Sequence, residues 1–138
     1  MIRVFIVEDH AIVRQGFDLL LEHEGIKVCG EAQSLVQARA GVGPAGPDLV
    51  MVDLSLGGED GLELVRESAR SSPDLPFLVV SMHGDGDHVA RALRAGARGY
   101  VTKRETVDLL APAIRECLLG RTYLSPKAEQ ALLEAQRR

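Results

Sequence analysis

Along the 138-residue chain, short apolar runs alternate with segments whose apolar residues recur every three or four positions. The runs are Arg3–Val7, Lys27–Ala32, Leu49–Asp53, Phe77–Ser81 and Gly99–Thr102. In the first, third and fourth the apolar residues are contiguous rather than alternating, as in parallel strands covered on both faces. Between them, Ile12, Val13, Phe17, Leu20 and Leu21 share one face of a helix over Ala11–Glu24. Val107, Leu110, Ala111, Ile114, Cys117 and Leu118 do the same over Thr106–Leu119, while Leu62, Val65, Ala69 and Val89, Ala92, Leu93 mark two further stripes. Leu35–Val42 is a weaker helix that runs into Gly41, Gly43, Pro44, Gly46 and Pro47, which read as a linker before the third strand. Ser125 with Pro126 marks a last helix start, and Ala128–Arg138 reads as a polar helix with a thin Ala131, Leu132, Ala135 stripe. Strand–helix repeats of this kind predict an α/β fold, an open doubly wound parallel sheet with right-handed crossovers. Ligands of such sheets bind at the carboxyl ends of the strands.

Composition narrows the function classes. With 46% hydrophobic and 26% charged residues the chain reads as one globular domain, and a net charge of −4 leaves no basic footprint for nucleic acid. Val4–Val7 is too short for a signal peptide and meets Glu8 and Asp9 at once. No apolar segment approaches the roughly 20 residues that span a bilayer, so no membrane association is expected. Cys29 and Cys117 match no metal spacing and read as two reduced thiols of a cytosolic protein. His10, His23, His83 and His88 form no ligand set by spacing, and Gly96 and Gly99 read as helix-end and turn glycines.

The chemistry lies at the strand ends. The first strand runs into Glu8 and Asp9, the third ends in Asp53, the fourth in Ser81, and Lys103 follows the fifth. Each alone has an ordinary explanation: Asp9 as a helix cap, Asp53 as a turn carboxylate, Ser81 as a strand-end hydroxyl, Lys103 as a solvated amine. Their joint placement on one rim does not. Gathered carboxylates repel, by on the order of 4 kcal/mol for a pair about 4 Å apart at an effective dielectric near 20. A hard cation relieves this, and an oxygen-only set on an open rim suits Mg²⁺. Lys103 can reach an anion, Ser81 can hydrogen-bond a phosphoryl oxygen, and a carboxylate nucleophile forms an acyl phosphate.

Five stretches then carry a resemblance: FIVEDHAIVRQGFDLLL, DLVMVDLSLGGEDGLELV, SMH after the fourth strand, ALRAGARGYVTK and RTYLSP. Over about Ile2 to Ser125 the chain resembles the receiver domain of bacterial two-component response regulators, in the LuxR/NarL-type branch that joins a receiver to a helix-turn-helix. The resemblance implies a flavodoxin-like five-stranded parallel sheet of order 2-1-3-4-5. It implies that Asp53 accepts a phosphoryl group from a sensor histidine kinase, and that Glu8, Asp9, Asp53 and the backbone carbonyl of Ser55 hold Mg²⁺. It further implies that Lys103 pairs with the phosphoryl group, and that Ser81 and Tyr100 form the switch. A cytoplasmic protein, dimerising on phosphorylation and reaching DNA only through an output domain outside this chain, follows from the same likeness. Residues 1–122 are then the receiver and 123–138 a helical linker toward that domain.

Four positions depart from the family pattern. Gly57 stands where Pro is common and implies a looser loop, and Glu59 adds negative charge near the site. Met82 brings bulk beside Ser81, and Pro112 interrupts the fifth helix, which often carries dimer contacts. Three other functions compete. A receiver with switching lost would act only as a phosphorylation-independent interaction module. A flavin-phosphate binder is disfavoured because Glu8-Asp9-His10-Ala11 would repel phosphate. An Asp-nucleophile phosphatase usually carries a second acid two residues on, where this chain has Ser55.

Overall fold

A computed structural model describes residues 1–137, and every apolar run is a strand in it. The strands of the main sheet are β1 (Arg3–Val7), β2 (Lys27–Ala32), β3 (Leu49–Val52), β4 (Phe77–Ser81) and β5 (Gly99–Thr102), with an unanticipated β6 (Tyr123–Leu124). All pair in parallel in the order β2-β1-β3-β4-β5-β6, so the doubly wound order is as expected with one edge strand added. The helices are α1 (Ala11–His23), α2 (Leu35–Ala45), α3 (Leu62–Ser71), α4 (Gly86–Ala95), α5 (Thr106–Leu118) and α6 (Pro126–Gln136). Asp53 falls one residue past the end of β3, in the loop that the rigid strand delivers.

Strand periodicity divides the core in two. Phe5, Val7, Val50, Val52, Phe77 and Val79 face one side, and Val4, Ile6, Leu49, Met51, Leu78 and Val80 the other. Leu35 of α2, Val65 of α3, Val89 of α4 and Ala128 of α6 cover the first face, while Phe17 of α1 and Ile114 of α5 cover the second. Each fully buried aliphatic side chain contributes roughly 1.5–3 kcal/mol, so the central strands are the most firmly held part of the chain.

Several local expectations need correction. The glycine–proline run is helical as far as Ala45 rather than a linker. Tertiary packing overrides propensity there: a Cβ on Gly41 would stand 3.1 Å from the Phe5 ring, so the absent side chain lets the helix lie on the sheet. Pro44 falls in the last turn, and Gly46 at φ 60° caps the helix. Ile12 is exposed, because it lies about 140° round the helix from Phe17. Val107 is exposed too, Thr106 taking the inward place with its hydroxyl donated to the Lys103 carbonyl at 2.9 Å. Gly99 is a strand residue rather than a turn, packed where a Cβ would meet Leu78 and Cys117 at 2.7 and 2.8 Å. Asp9 does not cap α1; His10 occupies that position without a side-chain bond. Pro112 lies within α5, which runs on to Leu118.

The end of the chain packs onto the same body. Tyr123 and Leu124 pair with Gly99 and Tyr100, and the Ser125 N–H donates to the Tyr100 carbonyl at 2.9 Å. Ser125 also caps α6, accepting from the Ala128 N–H. The helix then lies on α4, where Gly86 leaves room for the Ala131 carbonyl and the Ala135 methyl.

One buried group works against folding. Asp18 on α1 has Oδ1 buried without a hydrogen-bond partner. Burial and the Glu31 carboxylate push its carboxyl up to about 6. Its folded value therefore exceeds its unfolded one, and the stability it contributes at acid pH is lost as pH rises through about 6. Asp18→Asn should raise the melting temperature by about 2 °C at neutral pH, with the gain vanishing near the unfolded carboxylate range. Thermal denaturation across that window checks it, and a pH-independent gain would contradict the assignment.

Candidate functional site

Parallel pairing brings the carboxyl ends of β1, β3, β4 and β5 to one edge. The Asp53 N–H donates to the Val7 carbonyl at 3.0 Å and the Glu8 N–H to the Ala32 carbonyl at 2.9 Å, so both acids are pinned by the sheet as it ends. Lys103 begins a short 3-10 turn after β5. Its Nζ donates to Glu8 Oε1 at 2.5 Å and to Asp53 Oδ2 at 2.7 Å. Glu8 is 1% and Asp53 6% exposed, so these are largely desolvated charges bridged by one amine. The Ser55 N–H donates to Asp53 Oδ1 at 3.2 Å.

Two carboxylate oxygens are left over. Glu8 Oε2 and Asp9 Oδ1 are buried and accept no hydrogen bond. His10 Nδ1 lies near both, 3.7 Å from Glu8 Oε2 and 3.2 Å from Asp9 Oδ1, without bonding geometry. Burial pushes the Glu8 carboxyl up to about 6; the Lys103 hydrogen bond opposes that and the nearby Asp53 charge reinforces it. Burial alone would lower the Lys103 ammonium, but its two carboxylate partners prevail and hold it above its ordinary value. An oxygen-rich set with two orphaned acceptors fits a hard divalent cation.

The loop after Asp53 is a two-residue antiparallel hairpin, Ser55–Leu56 with Glu59–Asp60. Gly57 and Gly58 form its turn at φ 55° and 92°, which side chains rarely adopt, so the loop expected to be loose is instead a defined turn. The chain returns past Asp53 at Gly61, where a Cβ would fall 2.0 Å from the Asp53 carbonyl oxygen.

Ser81 and Tyr100 make a second cluster rather than touching Asp53. The Ser81 hydroxyl accepts from the His83 N–H at 3.1 Å, and the Tyr100 hydroxyl donates to the His83 carbonyl. Tyr100 is fully buried, and burial raises its phenol above the ordinary range. Met82 is 59% exposed to solvent. Of the residues singled out by sequence, Glu8, Asp53 and Lys103 are thus in direct contact, Asp9 adjoins them, and Ser55 touches Asp53 through its backbone. Sequence reasoning missed His10, whose adjacency to Glu8 and Asp9 was the available signal. It also missed the convergence of His83 on Ser81, Tyr100 and Ser55, whose Oγ lies 3.3 Å from His83 Nε2. A concavity of about 820 Å³ between α2 and α3, lined by Arg39, Leu64 and Phe77, involves none of Glu8, Asp9, Asp53 and Lys103.

The fold and rim define a class, a doubly wound α/β domain with an acidic pocket closed by one lysine at the carboxyl edge. The family model for the response regulator receiver domain matches residues 4–115, and the chain belongs to that family. It is 35% identical over 133 residues to the "Response regulator GacA" of Pseudomonas aeruginosa, covering 96% of this chain and 62% of that protein. It is 37% identical over 134 residues to the "DNA-binding transcriptional activator DevR/DosR" of Mycobacterium tuberculosis, again covering 96% and 62%. The chain thus spans just under two thirds of these relatives' length. The crystal structure of a LuxR-family two-component response regulator from Aurantimonas sp. SI85-9A1 superposes with a TM-score of 0.93 at 34% identity, covering 99% of this chain and 98% of that one.

Two outcomes follow from the geometry. Replacing Asp53 by Asn removes the neighbouring negative charge, so without added metal the Glu8 carboxyl should titrate measurably below about 6, read by carboxyl carbon chemical shifts. An unmoved or raised value would show that the two acids do not share the site. Gly61→Ala should destabilise the fold by about 2–4 kcal/mol, because backbone must move to admit the methyl. Urea denaturation tests it, and a neutral substitution would refute the close approach.

Proposed function

We propose that this chain is a phosphorylation-switched receiver in which Asp53 accepts a phosphoryl group from the phosphohistidine of a sensor histidine kinase. The observation that supports this best is Lys103 Nζ bonded to both Glu8 and Asp53, beside the unpartnered oxygens of Glu8 and Asp9. In the transfer an Asp53 carboxylate oxygen forms a bond to phosphorus, the phosphorus–nitrogen bond breaks, and the electron pair leaves with the kinase imidazole. Glu8, Asp9 and Asp53, with the Ser55 backbone carbonyl, would hold Mg²⁺, which supplies charge neutralisation to the phosphoryl oxygens. Lys103, free to exchange one carboxylate for a phosphoryl oxygen, pairs with the product. The reaction is a self-modification and its hydrolytic reversal, not turnover of a diffusing substrate.

The switch reading follows the bonds at His83. A phosphoryl group brings roughly −1.5 to −2 charge. Drawing the Ser81 hydroxyl toward it costs the bond from the His83 N–H, and that releases the β4–α4 loop held by the buried Tyr100 hydroxyl. The surface of α4, β5 and α5 is the element so biased. On this reading the phosphorylated chain dimerises, in a mode shaped by Pro112 in α5. It acts in the cytoplasm and controls transcription through a DNA-binding output domain joined after α6, with residues 123–138 as the connection. No helix among the described residues is long and apolar enough to cross a membrane.

Incubation with acetyl phosphate and Mg²⁺, read by intact mass, should add one phosphoryl group to the native chain and none to Asp53→Asn. Equal labelling of both, or none of the native chain with either acetyl phosphate or a phosphorylated kinase domain, would defeat the proposal. The latter outcome would favour the phosphorylation-independent interaction module.

A further inference from the structure

The β4–α4 loop carries side chains that the carboxylate rim does not use. His83, Asp85 and His88 offer three ligand atoms that all lie within 4.8 Å of one another. The two imidazoles are stacked, with ring centroids 4.3 Å apart and planes 5° from parallel. His88 Nδ1 lies 2.6 Å from Asp85 Oδ1, and the other Asp85 oxygen accepts from the His88 N–H at 3.2 Å, capping α4. Sequence spacing suggests no histidine ligand set, because a loop followed by a first helical turn has no single period; the fold brings the three together.

We propose that His83, Asp85 and His88 form a binding site for a first-row transition-metal dication of the Zn²⁺ class, separate from the oxygen-only rim. Two imidazoles and one carboxylate are the donor set that such ions prefer and that Mg²⁺ does not. Three protein ligands with water in the fourth position make an open tetrahedral site, in which donors at about 2.0–2.2 Å from the metal stand roughly 3.3 Å apart. Closing the set to that spacing needs side-chain rotation alone. His83 and Asp85 are exposed and His88 is partly so, and rotation of His83 exchanges the 3.3 Å contact of its Nε2 with Ser55 Oγ for the ion. Each imidazole lone pair lies in its ring plane, so binding tilts the rings out of their parallel stack. The ion takes the place of the hydrogen now shared between His88 Nδ1 and Asp85 Oδ1.

The backbone under these ligands is already ordered. His83 is held by Ser81 and Tyr100, and Asp85 and His88 by the helix cap, so little chain entropy is lost on binding. His83 and His88 also line a cavity of about 310 Å³ that gives an ion and its waters access. Arg91, the cation on that cavity, is offset by Asp60 at 3.6 Å. A bound ion ties the residue gripped by Ser81 and Tyr100 to the first turn of α4, across the segment whose movement the switch requires.

Titration of the whole chain with Zn²⁺ in excess Mg²⁺, followed by calorimetry and by histidine ring proton shifts, tests the site. The expected result is one equivalent bound, with shifts at His83 and His88 and none at His10 or His23. His83→Gln and His88→Gln should each weaken binding by at least about tenfold, and His10→Gln should leave it unchanged. No heat and no shifts at millimolar Zn²⁺ would overturn the proposal. So would binding that survives His83→Gln or His88→Gln, or that is lost with His10→Gln, which would place the ion on the Glu8-Asp9 rim instead.

Discussion

The arrangement depends on one interaction, the Lys103 ammonium held between the carboxylates of Glu8 and Asp53. Both acids stand where buried strands run out, and ionised carboxylates in such surroundings persist only when compensated. The amine follows β5, three places from β1 along the sheet with β3 and β4 between them, so the contact exists only once the parallel order has formed. Sheet topology and site chemistry are therefore the same constraint. The interaction is also incomplete: one amine meets one oxygen of each acid and leaves Glu8 Oε2 and Asp9 Oδ1 without partners. That residual demand for positive charge is what makes the pocket receptive rather than inert.

A second layer of contacts links the pocket to the surface through His83. Its N–H, carbonyl and ring are taken by Ser81, Tyr100 and Ser55 in turn. Tyr100 extends the line to the chain's end, since its carbonyl receives the Ser125 N–H where α6 begins. Glu105 adds a parallel tie, accepting from the Thr102 hydroxyl at 2.6 Å and from the Lys127 N–H at 3.3 Å. A change at Ser81 thus has short, bonded routes to α4 and to α6, and the two helices are themselves in close contact at Gly86. Coupling of this kind is limited by the difference in stability of the two loop arrangements, typically about 1–3 kcal/mol.

Much of this was legible because it rests on strong local signals. Contiguous apolar runs define strands buried on both faces, and a residue at the end of such a run has only one place to be. Glu8, Asp53 and Lys103 were readable for that reason. What was not legible depended on contacts between distant segments. Nothing within Gly41–Pro47 shows that Phe5 will press on Gly41 and keep the helix going. Tyr123–Leu124 is too short to read as a strand until β5 offers an edge. The Gly57-Gly58 pair read as slack, although two successive positive-φ residues are what a tight hairpin turn requires. The stacking of His83 on His88 arises from a loop folding against its following helix, with no periodicity to reveal it.

The proposed phosphoacceptor pocket is tested most directly by beryllofluoride, which mimics a phosphoryl group without a donor reaction. The melting temperature of the native chain should rise only when beryllofluoride and Mg²⁺ are both present, and that of Asp53→Asn should not rise. A rise that is independent of Mg²⁺, or that persists in Asp53→Asn, would contradict it.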